Sequence, residues 1–143
     1  MKDEIVIAEA LDGQIRIHAA CTTALVEQAR KHHHCMPTSA AALGRTLTVT
    51  AIMASDLKGE NEKVTAVFNG HGPAGTVLAQ ADAKGNVKGF IGDPNLYLVR
   101  EDGHLAVGQA IGTDGNLTVS RDMGLKEPFT GVSKIQSGEV GDD

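Results

Sequence analysis

The stretch PTSAAALGRTLTVTAIMASDL, from Pro37 to Leu57, limits what this chain can fold into more than any other. Proline followed by two hydroxyl residues is a helix start, and Thr38 or Ser39 is expected to cap it through a side-chain oxygen. Between Ser39 and Asp56 only Arg45 carries a formal charge. A surface helix shows a polar face every 3.6 residues, and this one does not. Ala40, Leu43, Leu47, Ala51 and Ala54 make one apolar stripe, with Val49, Ile52 and Met53 lying off it. The other positions hold Thr46, Thr48, Thr50 and Ser55. Their hydroxyls can bond carbonyls one turn back and so tolerate burial. The expectation is a helix covered by protein on most sides.

A helix of about 20 residues also has the length of a membrane span. Arg45 near its middle, the repeated hydroxyls and the lack of long Leu, Ile or Val runs weigh against that reading. The cover must then come from the rest of the chain. Residues 4–20 predict a β-hairpin, in which Ile15, Ile17 and Ala19 alternate with Gln14, Arg16 and His18 around an Asp12-Gly13 turn. One face of that hairpin is expected to be buried and the other wet. A short amphipathic helix from about Thr23 to His33 follows, capped by Thr22 or Thr23, with Leu25, Val26 and Ala29 inward. Pro37 separates it from the long helix.

From Val64 onward the period changes to 2. Val64/Ala66/Phe68, Val77/Ala79/Ala81, Val87/Gly89/Ile91, Leu96/Leu98, Leu105/Val107 and Leu117/Val119 predict short antiparallel strands. Asn69-Gly70, Lys84-Gly85-Asn86, Asp93-Pro94, Asp102-Gly103 and Asp114-Gly115 supply the turns between them. A last strand is expected around Thr130–Ile135, after which Ser137-Gly138-Glu139 reads as a helix start. That ending suggests a truncated chain or an expressed domain. At 143 residues, one α+β domain is predicted, with antiparallel sheets packed around the central helix in three layers, β/α/β.

Composition excludes several functions. The net charge is −5 with no basic run, which denies nucleic acid its electrostatic footprint. Three Phe, one Tyr and no Trp give no base-stacking platform and require an aliphatic, alanine-rich core. The start, MKDEIVIAEA, lacks the apolar run of a signal peptide. Two cysteines make no disulfide framework, and the sequon at Asn116 has no secretory context. A soluble cytoplasmic protein is expected.

Gly70-His71-Gly72-Pro73-Ala74-Gly75 matches the dinucleotide fingerprint in letters, but a strand rather than a helix is expected after it, so it reads as a turn. His32-His33-His34-Cys35 has ligand-type residues, yet consecutive helix positions diverge by about 100°, so it reads as a solvated helix end. Cys21 is expected to be a buried small hydrophobe. Arg45, on a buried helix, needs a carboxylate or carbonyl partner. No nucleophile elbow or paired catalytic carboxylates occur. No catalytic residue, cofactor-binding residue or metal ligand is assigned, and no enzyme is expected.

Several motifs, in order, resemble the N-terminal domain of the heat-shock protein 33 family. They are Asp12-Gly13-Gln14-Ile15-Arg16, Ala41-Ala42-Leu43-Gly44-Arg45, Leu57-Lys58-Gly59-Glu60, Gly72-Pro73-Ala74-Gly75, the run Asp82 to Phe90, Phe129-Thr130-Gly131 and Ser137-Gly138-Glu139. The resemblance implies a client-binding domain of a redox-regulated, ATP-independent bacterial holdase. It also implies that the active form is a homodimer whose partners are unfolding proteins. In that family a C-terminal four-cysteine centre holds zinc when reduced, and its oxidation unfolds a linker that had covered apolar surface. The C-x-C and C-x-x-C motifs are absent here, so zinc is expected only in a C-terminal domain that this chain lacks. Residues 1–143 would then form the client-binding core, with an uncovered apolar patch on one sheet face. The alternative is a small-molecule or metal-binding domain using Gly70–Gly75 and His32–Cys35.

Overall fold

The computed structural model describes residues 2–143. A hairpin of β1 (Glu4–Ala10) and β2 (Ile15–Cys21) is followed by α1 (Thr23–His33) and α2 (Pro37–Ala54). Then come β3 (Lys63–Asn69), β4 (Val77–Asp82), β5 (Val87–Ile91), the short α3 (Val107–Ile111), β6 (Asn116–Asp122) and β7 (Phe129–Lys134). The hairpin is a two-stranded sheet by itself, and the other strands form one antiparallel sheet in the order β5-β4-β3-β6-β7. This is the α+β domain with antiparallel sheets that the periodicities predict.

α2 lies on the five-stranded sheet. Ala42, Leu43, Leu47 and Ala51 are buried, and Phe68, Val77, Ala79 and Ile91 meet them from the strands. A smaller cluster of Ala54, Leu57, Val64 and Ala81 closes the far end. Thr46, Thr48 and Thr50 bond the carbonyls of Ala42, Gly44 and Thr46 at 2.7–2.8 Å, the back-bonding that lets hydroxyls enter a core. Gly44 is the point of contact with α1. A Cβ there would stand 2.6 Å from Val26 Cγ1, so only glycine lets the helices approach this closely.

Three expectations about these helices are corrected. α2 ends at Ala54, with Ser55 as C-cap, so Leu57 lies beyond it although it is buried. Thr38 and Ser39 do not cap α2. Their hydroxyls instead hold the chain at 93–98: Thr38 Oγ1 donates to Leu98 O (2.9 Å) and accepts from Leu98 N (2.8 Å), and Ser39 Oγ donates to Asp93 O and accepts from Leu96 N. The first N–H groups of α2 find the Leu96 carbonyl. Thr22 stands at the N-cap of α1, as expected, but its side chain makes no capping bond. Asp3 accepts from the backbone of Ala24 and Leu25 at 2.9 and 2.7 Å, while Thr22 bonds Thr48 across to α2. The cover of α2 itself is uneven: ten of its 18 residues are buried, but one side is thinly covered. Ala40, Ala41, Val49, Ile52 and Met53 are only half-buried, because the hairpin reaches just the C-terminal end of the helix.

Thr38 yields a test. Thr38→Val keeps the shape but leaves Leu98 N without its acceptor, while Leu98 O keeps the Ala106 N–H, and is expected to cost about 1–3 kcal/mol. The check is a lower urea midpoint at unchanged slope.

The 92–115 segment departs from expectation too. Leu96 and Leu98 are irregular chain held by α2, and Leu105 makes only one isolated bridge, to Val99. Val107 starts α3 rather than a strand, with Val107, Ala110 and Ile111 buried against the core. The tail does not begin a helix at Ser137. The Asp143 carboxylate instead accepts from the backbone of Gln136, Ser137 and Gly138 at 2.6–3.1 Å, closing a loop.

Candidate functional site

Arg45, expected inside, stands half-exposed and pairs with Glu139 at 2.5 Å. The second oxygen of Glu139 accepts from Gly108 N, so one carboxylate ties the tail to both α2 and α3. This contact is structural.

The Gly70–Gly75 loop is followed by β4, as expected. Its donors are used inside the protein: Gly72 N bonds Ile111 O at 3.0 Å and Ala74 N bonds Ala110 O at 2.8 Å. His71 Nδ1 lies against the Asp114 carbonyl. With Gly72, Ala74 and Gly75 N–H already bonded to carbonyls and Pro73 having none, the loop is poorly suited to cradle a phosphate, which weighs against half of the ligand-binding alternative.

His32 and His33 end α1, and His34 turns the chain in the left-handed region at φ 53°, while Cys35 is buried. Among the described residues no group of three or more His, Cys, Asp or Glu side chains is placed to hold a metal. Neither cysteine is in a disulfide. Burial pushes the Cys35 thiol up, which makes it a poor nucleophile. Cys21 is half-buried rather than buried, within 3.8 Å of Thr23 Oγ1. The strongest titration effect lies on α1, where hydrogen bonds from Arg30 hold the exposed Glu27 carboxyl down to about 2. Glu27 and Arg30 face each other one turn apart, a helix-stabilising pair and not a site.

What remains is bare apolar surface, in three places. The first is the outward face of the large sheet. Val87, Ala79, Ala66, Val119 and their like point to α2, so the next residue on each strand points away from it. Across the strands the register sets Phe90 against Leu78, Leu78 against Val67, Val67 against Thr118 and Thr118 against Val132. Four apolar side chains and one threonine thus form a band crossing all five strands, about 19 Å long at the usual strand spacing. Phe90 is 51% and Val132 64% exposed, with Val67 and Leu78 half-buried between them. The neighbouring row is Lys88, Gln80, Thr65, Ser120 and Thr130, a polar border.

The second surface is the hairpin, whose sidedness is opposite to expectation. His18 bonds Ser55 Oγ at 2.7 Å and Arg16 pairs with Asp56 at 3.0 Å, so the polar face meets α2. Val6, Ile15 and Ile17 point the other way and are 43–53% exposed. The third is a groove of about 610 Å³ over the uncovered side of α2, floored by Ala40, Ala41, Val49 and Ile52, with Val26 and Val140 at its walls. Only the alternation along β3–β6 announced the band in the sequence. Its alignment into one row depends on registers that no local pattern gives.

Contiguous apolar surface of this kind is, in proteins generally, a mark of interaction sites. The comparisons with known proteins give the family. The Hsp33 protein family model matches residues 3–143. The 33 kDa chaperonin of Staphylococcus carnosus (strain TM300) is 50% identical over 143 residues, 99% of this chain and 48% of that protein. That of Clostridium tetani (strain Massachusetts / E88) is 49% identical over 144 residues, 100% of this chain and 49% of that protein. The crystal structure of the 33 kDa chaperonin of Thermotoga maritima, a heat shock protein 33 homolog, matches with a TM-score of 0.91 at 34% identity. It covers 97% of this chain and 48% of that one. The chain belongs to the Hsp33 family. It spans about half the length of the relatives it matches.

Proposed function

We propose that this chain is the client-binding domain of an ATP-independent holdase, gripping unfolding proteins through the apolar band on its sheet. The observation that carries this reading is the row Phe90–Leu78–Val67–Thr118–Val132, which crosses all five strands with Phe90 and Val132 exposed at its ends. Apolar contact is non-directional and roughly proportional to area, so such a band holds many sequences without choosing among them, as a holdase must. Nothing in that contact requires nucleotide. On this reading the protein works in the cytoplasm, in keeping with its two unbridged cysteines. It acts as a homodimer, for which the outward apolar face of the hairpin offers support. Redox control through a zinc-holding cysteine centre lies in sequence beyond these residues, since Cys21 and Cys35 form neither C-x-C nor C-x-x-C.

The test is suppression of light scattering from a chemically denatured enzyme diluted into buffer with this chain at stoichiometric amounts. Suppression without oxidant is expected. The double variant Phe90→Ser and Val132→Ser alters exposed side chains only, so the fold should persist while suppression falls several-fold. Full suppression by that variant would move the site off the band, and no suppression by the parent chain would end the reading.

A further inference from the structure

We propose that the free edge of β1 captures extended polypeptide segments rich in alternating apolar and basic residues, adding them as a third strand to the hairpin sheet. The inference rests on the client-binding reading above and specifies how part of a client's backbone is held.

β1 pairs with β2 along one edge, from Glu4 opposite Cys21 to Ala10 opposite Ile15, without a bulge. Of the two strands it is β2 whose Arg16 and His18 reach α2. The outer edge of β1 therefore presents the N–H and C=O groups of a seven-residue strand, about 24 Å long, with no partner among the described residues. Proteins ordinarily blunt such an edge with charged side chains, lysine above all, or with proline or a bulge. The edge strands of the large sheet carry lysines, Lys88 on β5 and Lys134 on β7. β1, with the sequence EIVIAEA, has no lysine, proline or bulge, and its only charges, Glu4 and Glu9, flank the uncharged run Ile5–Ala8.

The chemistry of the edge names its occupant. A row of alternating backbone donors and acceptors at strand spacing is satisfied by another extended backbone, whatever its sequence. Val6, Ala8 and Ala10 share one face with Ile15 and Ile17, so an added strand continues an apolar face with every second residue. Glu4 and Glu9 on the strand and Asp12 in the turn are exposed and have no ion pair among the described residues. Glu4 shares the face of Val6, Ala8 and Ala10, and Glu9 lies on the other, where Arg16 stands opposite it. Residues 2–16 carry four acids against two cations, Lys2 and Arg16, so charge favours lysine or arginine in the incoming segment. A second copy of β1 would bring two further glutamates and no cation from the strand, which disfavours self-pairing.

The probe is a fluorescein-labelled ten-residue peptide alternating lysine with valine, titrated into this chain at low salt and followed by anisotropy and amide hydrogen exchange. Saturable binding is expected, with exchange of the edge amides within Glu4–Ala10 slowed at least tenfold. Alternate N-methylation of the peptide, which removes its donors along one edge, should weaken binding at least tenfold, as should replacing its lysines by glutamate. The variant Glu4→Lys with Glu9→Lys should reverse the charge preference while leaving the backbone edge intact. Equal binding of the N-methylated peptide, or binding without protection in β1, overturns the inference. So does β1 protection that rises with protein concentration alone, which would assign the edge to a second copy. Failure here with client suppression intact removes only the edge mechanism, whereas loss of suppression with the peptide still bound at β1 removes the holdase reading.

Discussion

Replacing Phe68 with alanine should destabilise the domain by about 3–5 kcal/mol, among the larger effects of any single truncation in this core. Phe68 is 1% exposed on the central strand β3, between Val77 on β4 and Leu117 on β6. Among the described buried core residues it is the only aromatic side chain, the others being alanine, valine, leucine, isoleucine and Cys35. Its ladder neighbours Val77 and Leu117 are held by their strands, so the cavity is expected to persist instead of collapsing. A urea titration followed by far-UV circular dichroism would show the midpoint fall with the slope retained. A loss under about 1 kcal/mol would mean that the strands around it close up.

A second large effect is expected at Gly112→Ala, by a different mechanism. Gly112 has φ +84°, where an L side chain is strained, and a Cβ there would lie 2.4 Å from Gly70 O and 2.6 Å from Gly72 N. Both neighbours are backbone and cannot turn aside. Gly70 meets the same obstacle from the other side, its Cβ position being 2.0 Å from Gly112 O. Strain in φ and overpacking each cost about 1–3 kcal/mol, so a loss of about 2–6 kcal/mol is expected. The substitution should also part the Gly70–Gly75 loop from α3, and amide exchange at Gly72 and Ala74 would report that directly. Unchanged exchange there would refute the account.

These two sites also show how far the sequence can be read. The alternation Val64, Ala66, Phe68 was legible because one face of β3 is buried and the other is not. The same alternation at Leu105 and Val107 misled, since α3 is only five residues long and shows less than two turns of helical period. Leu96 and Leu98 look like strand residues because they are apolar at spacing two. They are held by the hydroxyls of Thr38 and Ser39, a tertiary reason invisible locally. Arg45 was rightly expected to have a partner, but the partner, Glu139, lies 94 residues away. The hairpin shows the limit most plainly. Periodicity gave its two faces, and only the bonds to Ser55 and Asp56 decide which of them the rest of the molecule meets.

The strand order β5-β4-β3-β6-β7 bears on how the molecule assembles in time. β3, β4 and β5 follow one another along the chain, so their pairing needs only short loops to close. β6 joins them solely through β3, with Asn69 opposite Asn116 and the whole intervening segment looped out. Closing that long loop spends chain entropy before any ladder bond repays it, and contacts this distant in sequence slow folding. The seam between β3 and β6 is therefore expected to zip late. The apolar band crosses that same seam, so its five members come into line only in the finished sheet, and a partly folded chain would not yet present the complete row.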